Sequence, residues 1–327
     1  MVSHFTLVTG ATGLVGNNVV RQLLAKGGAV RVLKRESSDS RPLDGLDVQE
    51  AIGDICQADS VQQACQGVDA VIHAAGHVQI GSSNLELHRS INVDGTRNVA
   101  TAARAVGARM IHVSSTDAAG IGNLNEPADE ETPLGNDQGC TYTITKREAE
   151  RVIQDEISQG LDAVIVNPSF MLGPWDWKPS SGRMLLEVAR GKALLAPRGY
   201  FSVCDVRDVA AGILSAIDRG RSGRRYLLAG KTLSYFEAFR LFARVTGGRS
   251  PFWSPGPVVS LIGGWLGDLG TVLTGKESDV NSAAIRVARL PKSYSSRRAQ
   301  EELGYTTRPV EESARDAWEW FCEHGYG

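Results

Sequence analysis

Clustered cysteines, blocks of one charge and a leader-like N-terminus are all missing from this 327-residue chain. Without a C-x-x-C pair, neither a disulfide framework nor a metal site is expected. With 35 Lys and Arg against 37 Asp and Glu, and no basic block, a nucleic-acid partner is excluded. No basic segment with an apolar run precedes the strand pattern at Phe5–Thr9, so we expect no signal peptide and a cytoplasmic location. The five scattered cysteines are Cys56, Cys65, Cys140, Cys204 and Cys322.

Long apolar runs are scarce as well, and one stretch approaches the length of a bilayer span. Residues 252–273 carry a single charged side chain, Asp268, but several prolines and glycines interrupt them. We therefore expect a buried or substrate-facing helix here and prefer that interpretation to a membrane span.

Strand and helix patterns alternate along the first two-thirds of the chain. Runs rich in β-branched residues predict strands over Phe5–Thr9, Val30–Leu33, Val48–Ile52, Ala70–Ala74, Met110–Ser114 and Ala163–Asn167. Amphipathic stretches predict helices over Leu14–Lys26, Ser60–Gln66, Ile91–Val106 and Thr143–Gln159. This alternation is typical of an α/β protein with a doubly wound parallel sheet, the Rossmann fold.

Beyond Asn167 the pattern becomes irregular and rich in Pro, Gly and Trp. Strands over Phe201–Cys204 and Arg224–Leu228, joined by a helix over Val206–Arg219, are expected to return to the sheet. The tail from Ser234 is mostly helical. We predict a Rossmann domain over residues 1–167, rejoined by 201–230, and a smaller, mostly helical substrate lobe from 168–200 and 231–327.

A glycine-rich turn joins the first strand to the first helix. Gly10 permits a tight turn, Gly13 lets the backbone approach a pyrophosphate, and Gly16 allows close packing of the helix. Free N–H groups at the helix N-terminus then face the phosphates. The predicted dinucleotide-binding residues of this turn are Thr9, Gly10, Thr12, Gly13, Leu14, Val15 and Gly16.

The end of the second strand indicates which dinucleotide is bound. A cation there suits the 2′-phosphate of NADP, whereas an acid suits the ribose of NAD. Arg35 is the predicted phosphate ligand, with Lys34 or Arg41 in support, although Glu36 follows directly. The alternative is a solvated basic strand end.

Two further strand ends belong to the same predicted site. Asp54, before Ile55, is placed to accept a hydrogen bond from adenine, or is simply a turn residue. Ala74, Ala75 and Gly76 are small enough for the backbone to pass close to the cofactor. We interpret the preceding residue, His73, as a packed strand residue.

Tyr142 and Lys146 lie four residues apart and so share one helix face. The Lys cation is expected to lower the pKa of the phenol, which then exchanges a proton with a carbonyl or alcohol oxygen. Ser115, preferred to Thr116, follows the fifth strand and is expected to hold that oxygen. The predicted catalytic set is Ser115, Tyr142 and Lys146.

Together these motifs resemble the extended short-chain dehydrogenase/reductase superfamily, the NAD-dependent epimerase/dehydratase family, and within it the dihydroflavonol-reductase-like and hopanoid-associated branch. The matching segments are Thr9–Gly16, Val30–Arg35, Gly53–Ile55, His73–Gly76, Asn92–Thr96, Val113–Ser115, Tyr142–Lys146, Asn167–Ser169, Gly173-Pro174, Lys178-Pro179, Gly182-Arg183 and Asp205–Ala210. The resemblance implies that Lys146 also binds the nicotinamide ribose. It further implies that Asp54 and Ile55 flank adenine, and that Asn167 and Ser169 lie in the region lining the nicotinamide.

Two departures from the family pattern matter. Many nucleotide-sugar enzymes have Arg-Pro where this chain has Asn167-Pro168. The sugar dehydratases carry a Thr-Asp-Glu run at the fifth strand end, where this chain has Ser115, Thr116 and Asp117. The acid that protonates a leaving hydroxyl is therefore replaced by Thr116.

The resulting hypothesis is an NADPH-dependent reductase, or reversible alcohol dehydrogenase, acting on a small hydrophobic carbonyl compound. The alternatives are a nucleotide-sugar epimerase or dehydratase and a non-catalytic NADP-binding regulator. The substrate is expected to dock between Asn167–Trp177 and residues 252–273, near Trp253. The alternative is that residues 252–273 pack on the sheet or on a partner subunit, and a homodimer is one option for assembly.

Overall fold

The computed structural model describes residues 4–136, 139–274 and 280–327. Its strands are β1 (Phe5–Thr9), β2 (Ala29–Lys34), β3 (Gln49–Ile52), β4 (Ala70–His73), β5 (Arg109–Val113), β6 (Ala163–Pro168), β7 (Phe170–Leu172), β8 (Tyr200–Asp205), β9 (Arg225–Leu228) and β10 (Lys231–Ser234). Its α-helices are α1 (Leu14–Ala25), α2 (Ala58–Cys65), α3 (Leu85–Arg89), α4 (Gly95–Val106), α5 (Thr141–Ser158), α6 (Gly182–Ala189), α7 (Val206–Arg219), α8 (Tyr235–Thr246), α9 (Pro257–Thr274), α10 (Ser282–Ala288), α11 (Arg297–Leu303) and α12 (Val310–Glu323).

A parallel sheet of seven strands, in the order β3-β2-β1-β4-β5-β6-β9, forms the centre of the molecule. The strand order reverses between β1 and β4, where Thr9 pairs with His73. Such a reversal leaves a crevice at the carboxyl ends of the two strands, which is where ligands of open α/β sheets bind. The glycine-rich turn and the segment Ala74–Gly76 both begin at this crevice.

The two faces of the sheet bury separate apolar cores because neighbouring strand residues point in opposite directions. Val8 lies in the core covered by α1, α7 and α11. Leu7, the preceding residue, lies in the core covered by α2, α4 and α5. The Rossmann fold predicted from the alternating pattern is therefore confirmed.

A second sheet of three strands, β10-β8-β7, supports the C-terminal lobe. Phe201–Cys204, expected to rejoin the large sheet, lies here instead, parallel to β7 and antiparallel to β10. Arg225–Leu228 does rejoin the large sheet, next to β6. Sequence patterns mark a strand but not its partner, which explains why the sheet assignment of residues 201–204 was wrong.

The helix α9 differs from expectation in its exposure. Residues 252–273 were expected to be buried or substrate-facing, yet within α9 only Ser260 and Gly264 are buried. The large apolar side chains of α9 face solvent instead, with Val272 and Leu273 exposed by 80% and 77%. By length and composition α9 is the one helix among the described residues that is apolar enough to cross a membrane.

Candidate active site

The glycine-rich turn brings β1, α1 and β4 into backbone contact. Gly10 has a φ of +72°, and a Cβ on it would lie 2.6 Å from the amide nitrogen of Ala75. A Cβ on Gly16 would lie 2.2 Å from the carbonyl oxygen of Gly10. Gly13 is exposed, and the nearest atom to a Cβ there is 3.4 Å away. Gly10 and Gly16 thus close the turn, whereas Gly13 leaves an open surface at the helix N-terminus.

The N-terminus of α1 is available to an anion. Gly13 occupies the N-cap position, and the first turn, at Leu14 and Val15, carries no acidic residue and no side-chain cap among the described residues. Uncapped N–H groups and the positive end of the helix dipole attract negatively charged groups. The open surface at Gly13 and the free amides of the helix N-terminus therefore fit a dinucleotide pyrophosphate beside Thr12.

A directed chain of hydrogen bonds fixes the backbone beside the turn. The Ala75 amide donates to the Thr9 hydroxyl at 3.3 Å, and the Thr9 oxygen lies 2.7 Å from Nδ1 of His73. Nε2 of His73 lies 3.0 Å from the Thr96 hydroxyl, which donates to the Asn92 carbonyl at 2.6 Å. Of the two neutral tautomers, only the one protonated on Nε2 satisfies every link. Burial lowers the pKa of His73 to about 3, so this residue is structural, in agreement with its interpretation from the sequence.

Of the three cations near the end of β2, two already have anionic partners. Lys34 pairs with Glu50 at 2.9 Å, and Arg41 pairs with Asp39 at 2.6 Å. Arg35 is exposed and forms no ion pair within the described part of the chain. It is thus the cation best able to bind an added phosphate.

Asp54 and Ile55 follow β3. One carboxylate oxygen of Asp54 accepts a hydrogen bond from the Cys56 amide at 2.9 Å, which makes this residue part of a turn. Ile55 is buried and packs where Gly95 would otherwise carry a side chain, with its Cδ1 2.8 Å from that Cβ position. Asp54 is thus a turn residue in this structure, and its contact with adenine stays a prediction.

Ser115 and Tyr142 meet at the carboxyl end of β5. Ser115 lies just beyond the strand, with its hydroxyl accepting from the Asp117 amide at 3.1 Å, and this hydroxyl is close enough to the Tyr142 phenol to oppose the rise in its pKa that burial causes. Tyr142 is nearly buried, on the first turn of α5. The phenol and the serine hydroxyl therefore form the adjacent pair that the motif order predicts.

Lys146 lies one turn further along α5, with its Nζ donating to the Val113 carbonyl at 3.0 Å. Burial lowers the pKa of Lys146 to about 8, and the Glu150 carboxylate opposes this effect. The pKa of Tyr142 is raised, first by burial and then by Asp117, rather than lowered by Lys146 as expected. The reason is geometric, since the ammonium group binds a strand carbonyl instead of the phenol.

Glu150 is the important site residue that sequence reasoning missed. It is buried on α5, and its carboxylate accepts from Ser114 at 2.5 Å and from Asn167 at 2.6 Å, besides pairing with Arg225. Its position four residues after Lys146 was the available signal, because that spacing continues the face of Tyr142 and Lys146.

Asn167 and Ser169 differ in how their side chains are engaged. Asn167 is fully buried and donates to the Ser115 carbonyl at 2.8 Å, which ties β6 to β5. Its Oδ1 has no partner among the described residues. The Ser169 hydroxyl donates to the sulfur of Cys204 at 3.4 Å. Asn167 thus supports the Ser115 loop directly, whereas Ser169 faces the smaller sheet.

Beyond Ser115 lies a cleft that contains an ion pair between Asp117 and Lys292. Asp117 approaches the Ser115 hydroxyl at 3.5 Å. The residues lining this cleft are Asp117, Ile121, Asn136, Thr143, Arg147, Val287, Leu290, Lys292 and Tyr294. The cleft therefore combines apolar side chains with an ion pair and with the cation of Arg147, next to Ser115.

The expected enclosure of substrate between Asn167–Trp177 and residues 252–273 is not found. The ring of Trp177 packs 5.0 Å from that of Trp320 and 5.0 Å from that of His324, while the guanidinium of Arg21 lies 3.3 Å from the ring of Trp175. Both tryptophans thus belong to the core beneath α12. Aromatic content alone did not distinguish a pocket wall from an interior cluster.

Comparison with known proteins shows the family of the chain. The model of the NAD dependent epimerase/dehydratase family matches residues 6–229. Sterol demethylase protein B of Methylococcus capsulatus is 35% identical over 324 residues, which cover 98% of this chain and 99% of that protein. A putative dihydroflavonol 4-reductase of Synechocystis sp. is 34% identical over 333 residues, covering 98% and 95%. The crystal structure of gox2253 superposes with a TM-score of 0.87 at 33% identity, covering 98% of this chain and 99% of that one. The chain belongs to the NAD dependent epimerase/dehydratase family.

Proposed function

We propose that this protein is an NADP(H)-dependent oxidoreductase that reversibly reduces a carbonyl group of a lipophilic small molecule. The observation that carries the proposal is the proximity of the Ser115 hydroxyl and the Tyr142 phenol, with Lys146 one helical turn away. A binding protein without catalysis has no need for a buried phenol, serine and ammonium group at the crevice of the sheet.

The proposed cofactor contacts follow from the glycine-rich turn and the strand ends around it. The N–H groups of Leu14 and Val15 face the pyrophosphate, with Gly13 leaving room for it. Arg35 binds the 2′-phosphate, because it is the cation at this strand end without an anionic partner among the described residues. Lys146 reaches the ribose, since its Nζ lies 3.6 Å from the Cβ position of Gly76.

When bound, the nicotinamide supplies or accepts the hydride. Ser115 holds the substrate oxygen, and Tyr142 donates the proton to that oxygen during reduction. Burial raises the pKa of Tyr142 and makes the phenol a weak acid, so the nearby Lys146 ammonium has to strengthen it before the proton is transferred. For the oxidative direction, the ammonium of Lys146 stabilises the deprotonated phenol once it leaves the Val113 carbonyl.

Dehydration of a sugar is less well supported by the residues after Ser115. Thr116 stands where the dehydratases have an acid, and it offers only a hydroxyl, close to the ring of Tyr294. The next acid, Asp117, is already paired with Lys292. A threonine hydroxyl is too weak an acid to protonate a leaving hydroxyl, and the Asp117 carboxylate is held in an ion pair, which favours carbonyl reduction.

The lipophilic class of substrate is supported by the names of two relatives and by a few apolar side chains in the cleft. Ile121, Val287 and Leu290 line the cleft beside the Asp117–Lys292 ion pair, and Arg147 adds one further cation. The names of the two full-length relatives refer to a sterol and to a dihydroflavonol. A polycyclic ketone or alcohol of low charge is therefore the proposed substrate class.

The test is a panel of aldehydes, ketones and sterol- or flavonoid-like carbonyls, followed by NADPH absorbance. With the best substrate, Tyr142→Phe should lower turnover by roughly 10²–10⁴-fold while sparing NADPH binding, because only the transferable proton is lost. The matched control is Tyr305→Phe, which removes the hydroxyl of a buried tyrosine in the core covered by α1, α7 and α11. Near-normal turnover in Tyr142→Phe, or sugar-nucleotide conversion without net NADPH use, would overturn the proposal.

A further inference from the structure

The helix α9 is amphipathic, but its apolar side faces solvent and its small and polar side faces the protein. Placed on a helical wheel, its small and polar residues occupy one side, and the large apolar residues occupy the remaining arc of roughly 160°. The large residues are all exposed, between 43% and 80%, and are Val258, Val259, Leu261, Ile262, Trp265, Leu266, Leu269, Val272 and Leu273. We call this set the α9 surface. A helix of an ordinary water-soluble lobe faces such residues inward.

The opposite side of α9 is fixed on α10. A Cβ on Gly264 would lie 3.0 Å from Ser282 Cα, and a Cβ on Gly267 would lie 1.6 Å from the carbonyl oxygen of Val280. Asp268 accepts a hydrogen bond from the Ser282 amide at 3.0 Å. Because α10 covers this side, α9 can meet a membrane along one face only and cannot span it without separating from α10.

The α9 surface continues onto the loop that precedes the helix. Phe252 and Trp253 are exposed by 72% and 46%, and Trp253 is bridged to Leu195, itself 45% exposed. Three exposed cations lie on the same pair of loops, and none of them forms an ion pair with another described residue. These cations are Lys192, Arg249, whose side chain covers Gly191, and Arg198, which donates to the Ser254 carbonyl.

From these observations we propose that the α9 surface binds the interface of a lipid bilayer rich in anionic headgroups. Apolar side chains enter the acyl boundary while Lys192, Arg198 and Arg249 meet the headgroups. A second copy of the chain fits less well, because protein interfaces of this size carry a polar rim with hydrogen bonds. The nine large residues of the α9 surface include a single polar atom, the indole nitrogen of Trp265, and the adjoining cations would need acidic partners.

The position of the surface relative to the candidate site is informative. Val287 on α10 packs against Tyr142, while α9 lies on the outer side of α10. Asn281 ties the start of α10 to the Ile80 carbonyl at 2.9 Å. A bilayer held by α9 therefore lies one helix away from the proposed proton donor. The membrane proposal stands on the α9 surface itself and does not require the proposed reaction.

The experiment measures flotation of the full chain with vesicles of phosphatidylcholine alone and of phosphatidylcholine mixed with phosphatidylglycerol, without cofactor or substrate. Wild type should float with the mixed vesicles, and the fluorescence of its exposed tryptophans should shift to shorter wavelength. The Trp265→Glu/Leu269→Glu double variant should bind at least tenfold more weakly. Ile52→Glu, which places one such charge at a residue 58% exposed on β3, is the control for added negative charge and should bind like wild type.

Charge is tested separately with Arg198→Gln and Arg249→Gln. Each should weaken binding to the mixed vesicles by about fivefold and leave binding to neutral vesicles unchanged. The proposal is overturned if the wild type floats with neither kind of vesicle. It is also overturned if sedimentation velocity shows that the wild type is a dimer and the α9 double variant is a monomer, because the α9 surface then joins two copies of the chain. Thermal melting verifies that each variant is folded. A second double variant, Val258→Glu/Val272→Glu, repeats the test near the two ends of α9.

Discussion

At the scale of single residues, the buried carboxylate of Glu150 balances the charges around the candidate site. It lies between Arg225, with which it pairs, and Lys146, whose pKa it raises. Removal of one partner from a buried ionic set leaves the others uncompensated. The protonation state of Lys146 is thus controlled from a position that contacts neither the turn nor the cleft.

We predict that Glu150→Gln destabilises the fold by about 3–5 kcal/mol and moves the alkaline limb of activity to lower pH. The pKa of Lys146, about 8 in the wild type, falls when the carboxylate is removed, so its charged form is lost at a lower pH. Urea unfolding and a pH profile of turnover measure the two effects.

The matched control is Glu156→Gln, on the same helix. Glu156 is also buried and bonds Arg104 at 2.8 Å, but its partners lie away from Lys146. The Glu156→Gln variant should be less stable than the wild type, and its pH profile of turnover should not shift. Identical profiles in the two variants would contradict the role assigned to Glu150.

Arg35 carries the proposed preference for NADP over NAD. Arg35→Ala should weaken NADP binding by about 1.5–3 kcal/mol, the range for a hydrogen bond to a charged group, and leave NAD binding unchanged. Calorimetry with both nucleotides measures this difference. Arg41→Ala, whose guanidinium already pairs with Asp39, is the control and should have little effect. Equal affinity of the wild type for NAD and NADP would refute the preference.

At the scale of elements, α9 provides a matched pair of glycines. Gly267→Ala should destabilise the packing of α9 on α10, because the new Cβ would lie 1.6 Å from the Val280 carbonyl oxygen. Gly270→Ala, with nothing within 4 Å of the Cβ position, should stabilise the helix by about 0.5–1 kcal/mol. Hydrogen exchange of the α9 amides measures both changes, and faster exchange in the Gly270 variant would argue against the packing described here.

The strands and helices show which structural features the sequence predicts and which it does not. β1 was predicted with its exact limits, and the other strand limits of the large sheet to within about one residue, because β-branched runs end where turn residues begin. The helix predicted over Ile91–Val106 instead begins as a π-helix over Ser90–Asp94, a detail set by the tertiary bonds of Asn92. The orientation of α9 was missed because hydropathy alone does not tell which side of a helix faces the protein.

The same distinction holds for the candidate site. Tyr142 and Lys146 were predictable because a spacing of four fixes them on one face of a helix. The hydrogen bond from Lys146 to Val113 and the ion pair of Asp117 with Lys292 join residues far apart in the chain. Such contacts depend on how β5, α5 and the C-terminal lobe pack together, and no local pattern records them.

At the scale of the whole molecule, His73 links burial to acid stability. Its folded pKa of about 3 lies below the ordinary value of 6.5, and burial lowers the pKa of His112 as well. Between these two pH values the unfolded chain takes up a proton that folded His73 does not. The free energy of unfolding therefore falls as pH falls through this window.

We predict that His73→Gln, which keeps one donor and one acceptor, makes this dependence shallower by up to about 1.4 kcal/mol per pH unit, the equivalent of one proton. Urea unfolding at several pH values between pH 6.5 and the acid transition measures the slope. An unchanged slope would mean that His73 takes no part in the acid destabilisation.

The chain passes between its two sheets three times, from β6 to β7, from β8 through α7 to β9, and from β9 to β10. This threading limits recombination with relatives. A chimera that exchanges only the residues after β9 keeps β7 and β8 from one parent and receives β10 from the other, so its small sheet is a mixture. A clean transplant of the lobe needs two separate inserted segments around α7 and β9, with both parents matched at every junction.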